Sequence, residues 1–229
     1  RRRSDMRRPL LPLALAATLV VAGAAWFLAN FERTTVTVNA GPGPEARRNP
    51  WLAAQRLMAG MGLDAQELRA APALRTLPDG AVLVLPAHRQ AVSAPLRAAL
   101  LEWVARGGYL IAQAELLPQS DPLLDALGVT RRSVRLPEPR DGYAVALSAG
   151  GPSLQVRLEP GLALAAEDAL LRAGDGQVDR LLLLRYGRGR VAVLNDFRFA
   201  SNGAIGELNH AEFLWRLATL EPGVEQVVF

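Results

Sequence analysis

Two hydrophobic patterns divide the chain. From residue 10 to residue 31, LLPLALAATLVVAGAAWFLANF runs without a charged side chain. As a helix rising about 1.5 Å per residue, such a run crosses roughly the 30 Å hydrocarbon layer of a bilayer. Beyond it the apolar residues come in short blocks cut by Gly, Pro and polar residues. TTVTVN (34–39) alternates and predicts a strand, and GPGPEARR (41–48) reads as a loop. In NPWLAAQRLMAGMG, Asn49 reads as the N-cap and Pro50 as the first helical residue. Trp51, Ala54, Leu57, Met58 and Met61 then share one helical face, and Gly62 closes it. A weak strand follows near 64–69.

PDGAVLVLP (78–86) is a turn feeding a continuously apolar strand, the pattern of a sheet covered on both faces. SAPLRAALLEWVARGG (93–108) predicts a helix capped by Ser93, facing inward through Leu96, Leu100, Trp103 and Val104, and stopped by Gly107–Gly108. YLIAQA (109–114) is the next buried strand. DPLLDALGV (121–129) is a short helix with Asp121 as cap. Residues 130–175 break into small alternating segments, which predicts an antiparallel insertion or sheet extension. DRLLLLRYGRGRVAVLND (179–196) predicts a hairpin around Gly-Arg-Gly, and IGELNHAEFLWRLATL (205–220) the last helix. The closing VEQVVF reads as the opening of a strand, so the natural chain is expected to continue. Strands alternating with helices give an α/β class with an open, mostly parallel sheet over 34–229.

Composition changes this picture in three places. The 229 residues are 50% hydrophobic and 21% charged, enough for a real core. All 26 basic residues are Arg, and much of the net charge of +4 comes from RRRSDMRR at the start. A basic tail at 1–9 ahead of the apolar run predicts an inner-membrane anchor at 10–31. Its N-terminus would be cytoplasmic and the domain extracytoplasmic. The alternative is a cleaved signal peptide, whose apolar core is shorter. A charge excess held in one tail gives no support to nucleic-acid binding. Absence of Cys excludes disulfides, zinc-thiolate sites and cysteine nucleophiles.

Polar side chains crowd into LNDFRFASNGAIGELNHAEFLW (194–215), at the carboxyl end of a predicted strand, where ligands bind in open α/β sheets. Asp196, Asn202, Glu207, Asn209 and His210 are the candidate ligand-binding residues there. His88, after the strand at 81–86, is the sixth. The structural alternative is that these groups cap the loop and the helix start. YGRGR is followed by a strand and so is a turn, not a phosphate loop. Asp121 and Asp125 are explained by the helix they begin. No G-x-S-x-G elbow, compact histidine pair or cofactor motif is present, so no cofactor or metal is expected. A hydrolase using Asp196, His210 and Glu207 is one functional alternative. A glycan-binding module using Phe197, Phe199 or Trp51 is another.

The succession NPWLAAQRLM, VLVLPAHRQAVSAPLRAALLEWVARGGYLIAQA, DPLLDALGV and YGRGRVAVLNDFRFASNGAIGELNHAEFLWRL resembles the bacterial domain-of-unknown-function family 4350 (DUF4350). The resemblance implies a class I glutamine-amidotransferase-like α/β fold. It does not imply amidotransferase activity, which uses a Cys with a His and a Glu. Here Ala87 or His88 stands in the general region after the third strand, and no thiol replaces the nucleophile. Family members neighbour MoxR-type AAA+ ATPases in membrane operons. The resemblance therefore implies an assembly or envelope-maintenance role, and the chain is expected to be a non-catalytic, membrane-anchored domain that binds a partner protein or a small ligand in an envelope complex.

Overall fold

The computed structural model describes residues 10–30, 41, 43–68, 71–86, 92–135, 141–148 and 150–229. The tail at 1–9, the strand expected at 34–39 and His88 lie outside the described residues. The chain divides into two compact units, 1–41 and 42–229. In the first, helix α1 (Leu10–Asn30) carries no acidic or basic residue in its end turns. Its side chains are described over 13–27 only, and Leu13, Leu15, Leu19, Val20 and Val21 are all exposed. Among the described residues no helix is long and apolar enough to cross a membrane.

The second unit is an α/β fold with a seven-stranded mixed sheet. Its strands are β1 (Asp64–Gln66), β2 (Val82–Leu85), β3 (Tyr109–Gln113), β8 (Ala169–Gly174), β9 (Asp179–Tyr186), β10 (Gly189–Leu194) and β11 (Gln226–Val228). They lie in the order β1-β11-β2-β3-β10-β9-β8. Neighbours from β1 to β10 are parallel, and β9 and β8 extend the sheet antiparallel. Within 130–175, β4 (Thr130–Ser133) pairs antiparallel with β7 (Leu162–Ala165), and β5 (Tyr143–Val145) with β6 (Leu154–Val156).

The period-two alternation of the strands sorts their apolar residues into two cores. On one face Val82, Val84, Ile111, Ala192 and Leu194 pack with Met58 of α3 (Leu52–Gly60) and with Phe213, Leu214 and Leu217 of α6 (His210–Ala218). On the other, Leu83, Leu110, Ala112, Val191 and Val193 pack with Leu100, Trp103 and Val104 of α4 (Ala94–Arg106) and Leu123 and Leu124 of α5 (Pro122–Ala126).

Element boundaries depart from the sequence pattern where tertiary contacts intervene. The Pro-rich loop at 41–48 contains a short helix, α2 (Pro44–Arg48), started by Pro at its first position. Asn49 caps a turn rather than a helix: its Oδ1 accepts from Trp51 N at 2.9 Å, and α3 begins only at Leu52. Ser93 occupies the cap position of α4 without a side-chain hydrogen bond, whereas Asp121 does accept from Leu124 N. The last helix starts at His210, not near 205, because residues 201–209 form successive turns.

Two features hold the frame. The β9–β10 turn presses on the end of α4, where a Cβ on Gly189 would lie 2.1 Å from Val104 O and 2.2 Å from Gly108 O. Arg180 of β9 is fully buried and sits 3.9 Å above the Tyr143 ring. It donates from Nη1 to the carbonyls of Glu159 (2.7 Å) and Pro160 (3.1 Å) and from Nη2 to Asp175 (3.3 Å). Burial pushes the Asp175 pKa up. The N–H groups of Gln177 and Val178 and the Arg180 guanidinium outweigh it, and the net direction is down from 3.8.

Gly189→Ala is therefore expected to destabilise the fold by about 2 kcal/mol or more. Gly60→Ala, which meets open space, should be neutral or stabilising by up to about 1 kcal/mol; denaturant melts of both variants check this. With its folded pKa below the unfolded one, Asp175 contributes stability that is present above the unfolded value and lost as pH falls through the folded one. Wild type should lose stability as pH drops below 3.8. Asp175→Asn should be less stable at neutral pH and show a flatter acid limb in pH-dependent melting.

Candidate functional site

The parallel strands β2, β3 and β10 end side by side, and a crevice of about 420 Å³ opens over their carboxyl ends. Pro86 follows β2, Gln113 ends β3 with Glu115 just beyond it, and Asn195 and Asp196 follow β10. Trp51, Leu116, Leu117, Gln119, Glu159 and Arg198 complete the wall. A second cavity of about 550 Å³ adjoins it and shares Glu115 and Gln119.

Aromatic residues fix the loop that carries the polar groups. After Asp196 the chain turns through a 3-10 turn (Arg198–Ala200), and Phe197 and Phe199 insert into the core on either side of Arg198. Trp51 meets Phe197 edge-on at 5.3 Å, Phe197 meets Phe199 at 5.1 Å, and Phe199 meets Phe213 at 5.1 Å. These contacts leave Asp196 and Arg198 little freedom. Phe197 and Phe199 are thus core, and of the three aromatic candidates only Trp51 faces the crevice.

Asp196 is buried, and its Oδ1 accepts from Arg198 N at 2.9 Å and from Arg198 Nε at 3.0 Å. Its Oδ2 lies 2.9 Å from Arg198 Nη2. The same Nη2 donates to Glu159 Oε2 at 3.0 Å, while the Arg198 side chain stays 71% exposed. The hydrogen bond to Asp196 raises the Arg198 pKa further above its ordinary value. Asp196, Arg198 and Glu159 form an ion-paired network on the crevice wall, two carboxylates on one guanidinium, in an arrangement that leaves Asp196 ill-placed as a base. Asn195 is fully buried. Its Nδ2 donates to Glu159 O (2.8 Å) and Leu162 O (2.6 Å), which fixes the amide orientation. Its Oδ1 has no hydrogen-bond partner.

The other described candidates, Asn202, Glu207, Asn209 and His210, do not converge on this crevice. Asn202 is a tertiary cap: Oδ1 accepts from Ala53 N at 2.8 Å in the first turn of α3, and Nδ2 donates to Ala46 O and Asn49 O. Asn209 extends the edge of β6, with Oδ1 accepting from Gln155 N and its own N donating to Gln155 O, each at 3.0 Å. Glu207 pairs with Arg157 on the surface. His210 has no exposure, and both its ring nitrogens are engaged. Nε2 accepts from Arg157 N at 3.0 Å, and Nδ1 lies 2.6 Å from Ala204 O, which fits the tautomer that donates from Nδ1. An imidazole held this way cannot take a proton from substrate without breaking a structural hydrogen bond.

Of the five candidates among the described residues, then, only Asp196 lines the crevice. Sequence reasoning missed Arg198 and Asn195, although both lie in or beside the crowded stretch. Their signal was the strand-end position itself. Glu159, from the 157–160 loop, and Gln113 and Glu115, at the end of an apolar run, carried no local mark. Among the described residues no group of three or more His, Cys, Asp or Glu could hold a metal ion.

No curated protein matches the chain. Among solved structures, the exo-beta-1,4-mannosidase Op5Man5 from Opitutaceae bacterium strain TAV5 superposes with a TM-score of 0.52 at 16% identity, over 83% of this chain and 34% of that one. The beta-galactosidase from Bacillus circulans sp. alkalophilus gives a TM-score of 0.42 at 18% identity, over 63% of this chain and 23% of that one. The mmIFT52 N-terminal domain gives 0.42 at 15% identity, over 57% of this chain and 73% of that one. The chain spans about a third of the mannosidase's length, and that likeness is one of fold. At the level of sequence, residues 44–218 match the domain of unknown function DUF4350, and the chain belongs to that family.

Proposed function

We propose that this protein is a non-catalytic binding domain, held at the outer face of a bacterial inner membrane, whose partner or ligand occupies the crevice over β2, β3 and β10. The observation that carries the reading is the Asp196–Arg198–Glu159 network. Its carboxylates are both held by the Arg198 guanidinium in a rigid wall, and His210 is bound at both nitrogens. A recognition surface needs fixed polar groups, whereas a general base needs an acceptor atom open toward the proton it takes. The glutamine-amidotransferase-like fold remains part of the proposal, supported by the parallel order of the central strands. So does a MoxR-type AAA+ ATPase as the protein partner, supported by the family resemblance alone. A hydrolase worked by Asp196 and His210 would require both to leave their present hydrogen bonds.

The anchor is supported by the uncharged sequence from Leu10 to Asn30 and by the exposure of its described apolar side chains. The whole chain is expected to stay in the membrane pellet after carbonate extraction. The double variant Leu15→Arg/Val20→Arg should release it, since each Arg at a membrane mid-plane costs about 3 kcal/mol. Release of wild type by carbonate would remove the anchor from the proposal. For the crevice, Gln119→Trp fills the space shared by both cavities from an exposed position. Affinity purification from native membranes should recover envelope proteins or an ATPase with wild type and lose them with Gln119→Trp. Identical partners from both would move the binding site elsewhere.

A further inference from the structure

We infer that the crevice takes a neutral saccharide. This rests on the crevice being a binding site and adds the chemistry of what it binds.

The crevice wall leaves a buried polar group unsatisfied. Asn195 Oδ1 is a buried acceptor without a partner, on a residue that lines the crevice. Because Nδ2 is fixed on the carbonyls of Glu159 and Leu162, a flipped amide would set oxygen against oxygen. The lone acceptor is open to an N–H or O–H brought from the crevice side. Arg198 offers the complement. Its Nε and Nη2 serve Asp196 and Glu159, and among the described residues its Nη1 makes no hydrogen bond. The wall thus combines one unengaged guanidinium nitrogen and one unpartnered amide oxygen within one rigid frame.

Charge decides against ionic ligands. Asp196 and Glu159 share the one guanidinium of Arg198, so an anion would meet net negative charge, whereas a cation would find the carboxylate oxygens already engaged and the exposed guanidinium in its way. A neutral ligand with paired hydroxyls avoids both penalties. The remaining wall is apolar: half-buried Trp51, with Leu116 and Leu117. A pyranose ring presents hydroxyl edges to planar polar groups and a C–H face to an indole. About 420 Å³ lies within the range of small-molecule sites.

The test is calorimetric titration of the purified full chain in detergent. The neutral probes are cellobiose and N,N′-diacetylchitobiose. The ionic probes of similar reach are cadaverine and glutarate. At least one disaccharide should bind in the millimolar range and neither ionic probe should. Arg198→Ala, at an exposed side chain, should weaken binding about tenfold or more. Trp51→Ala should do the same, with Trp51→Phe restoring most of the affinity; if Trp51→Ala melts at the assay temperature, Arg198→Ala alone carries the test. Binding of cadaverine or glutarate without a disaccharide, binding unchanged in Arg198→Ala, or no binding by any probe each overturns the inference. If the disaccharides fail while Gln119→Trp still loses its co-purified partner, the binding reading stands and only the saccharide falls.

Discussion

The central strands β2, β3 and β10 carry apolar side chains toward both faces, and helices cover both. A polar side chain in their interior would have no water and few partners, at a penalty of several kcal/mol unless hydrogen-bonded. Polar chemistry in these three strands is therefore confined to their ends. At the carboxyl end of β10 the apolar run VAVL gives way to Asn195 and Asp196 within one step. The crevice follows from that confinement: three parallel strands stop together, and the segments that leave them diverge.

Asparagine and histidine do structural work at a distance here. Asn202 serves the first turn of α3 from 149 residues away in sequence, and Asn209 and His210 tie the entry of α6 to β6 and the residue after it. Each satisfies backbone groups that would otherwise be orphaned near the core. The dense polar stretch at 194–215 thus contains two populations. Asn195, Asp196 and Arg198 face the crevice, and Asn202, Asn209 and His210 bind backbone.

That division explains what could be read from the sequence. Continuous apolar runs announced β2, β3, β9 and β10, and periodicity with Gly stops announced α3, α4 and α5, because local pattern and burial agree at these places. The placement of the crevice at a strand end was legible for the same reason. The membership of the crevice was not. Nothing in NHAEF distinguishes a histidine that binds a carbonyl from one that faces solvent, and nothing in RLEPG marks Glu159 as a partner of Arg198. Both depend on contacts between segments tens of residues apart. The start of α3 was misplaced for a related reason, since its cap comes from Asn202 rather than from the adjacent Asn49.

The position of β11 has a consequence for how the domain assembles. Gln226–Val228 lies between β1 and β2, with Asp64 paired to Gln226 and Val82 to Val227. During synthesis, β1 has no sheet neighbour and β2 has a bare edge until residue 228 has left the ribosome. The nascent domain therefore presents an unpaired, apolar strand edge for most of its translation. Such an edge is where wrong pairings begin and where holding factors act. Final closure is a late, long-range event, and the slow step of folding should be the insertion of one short strand into a gap already shaped for it.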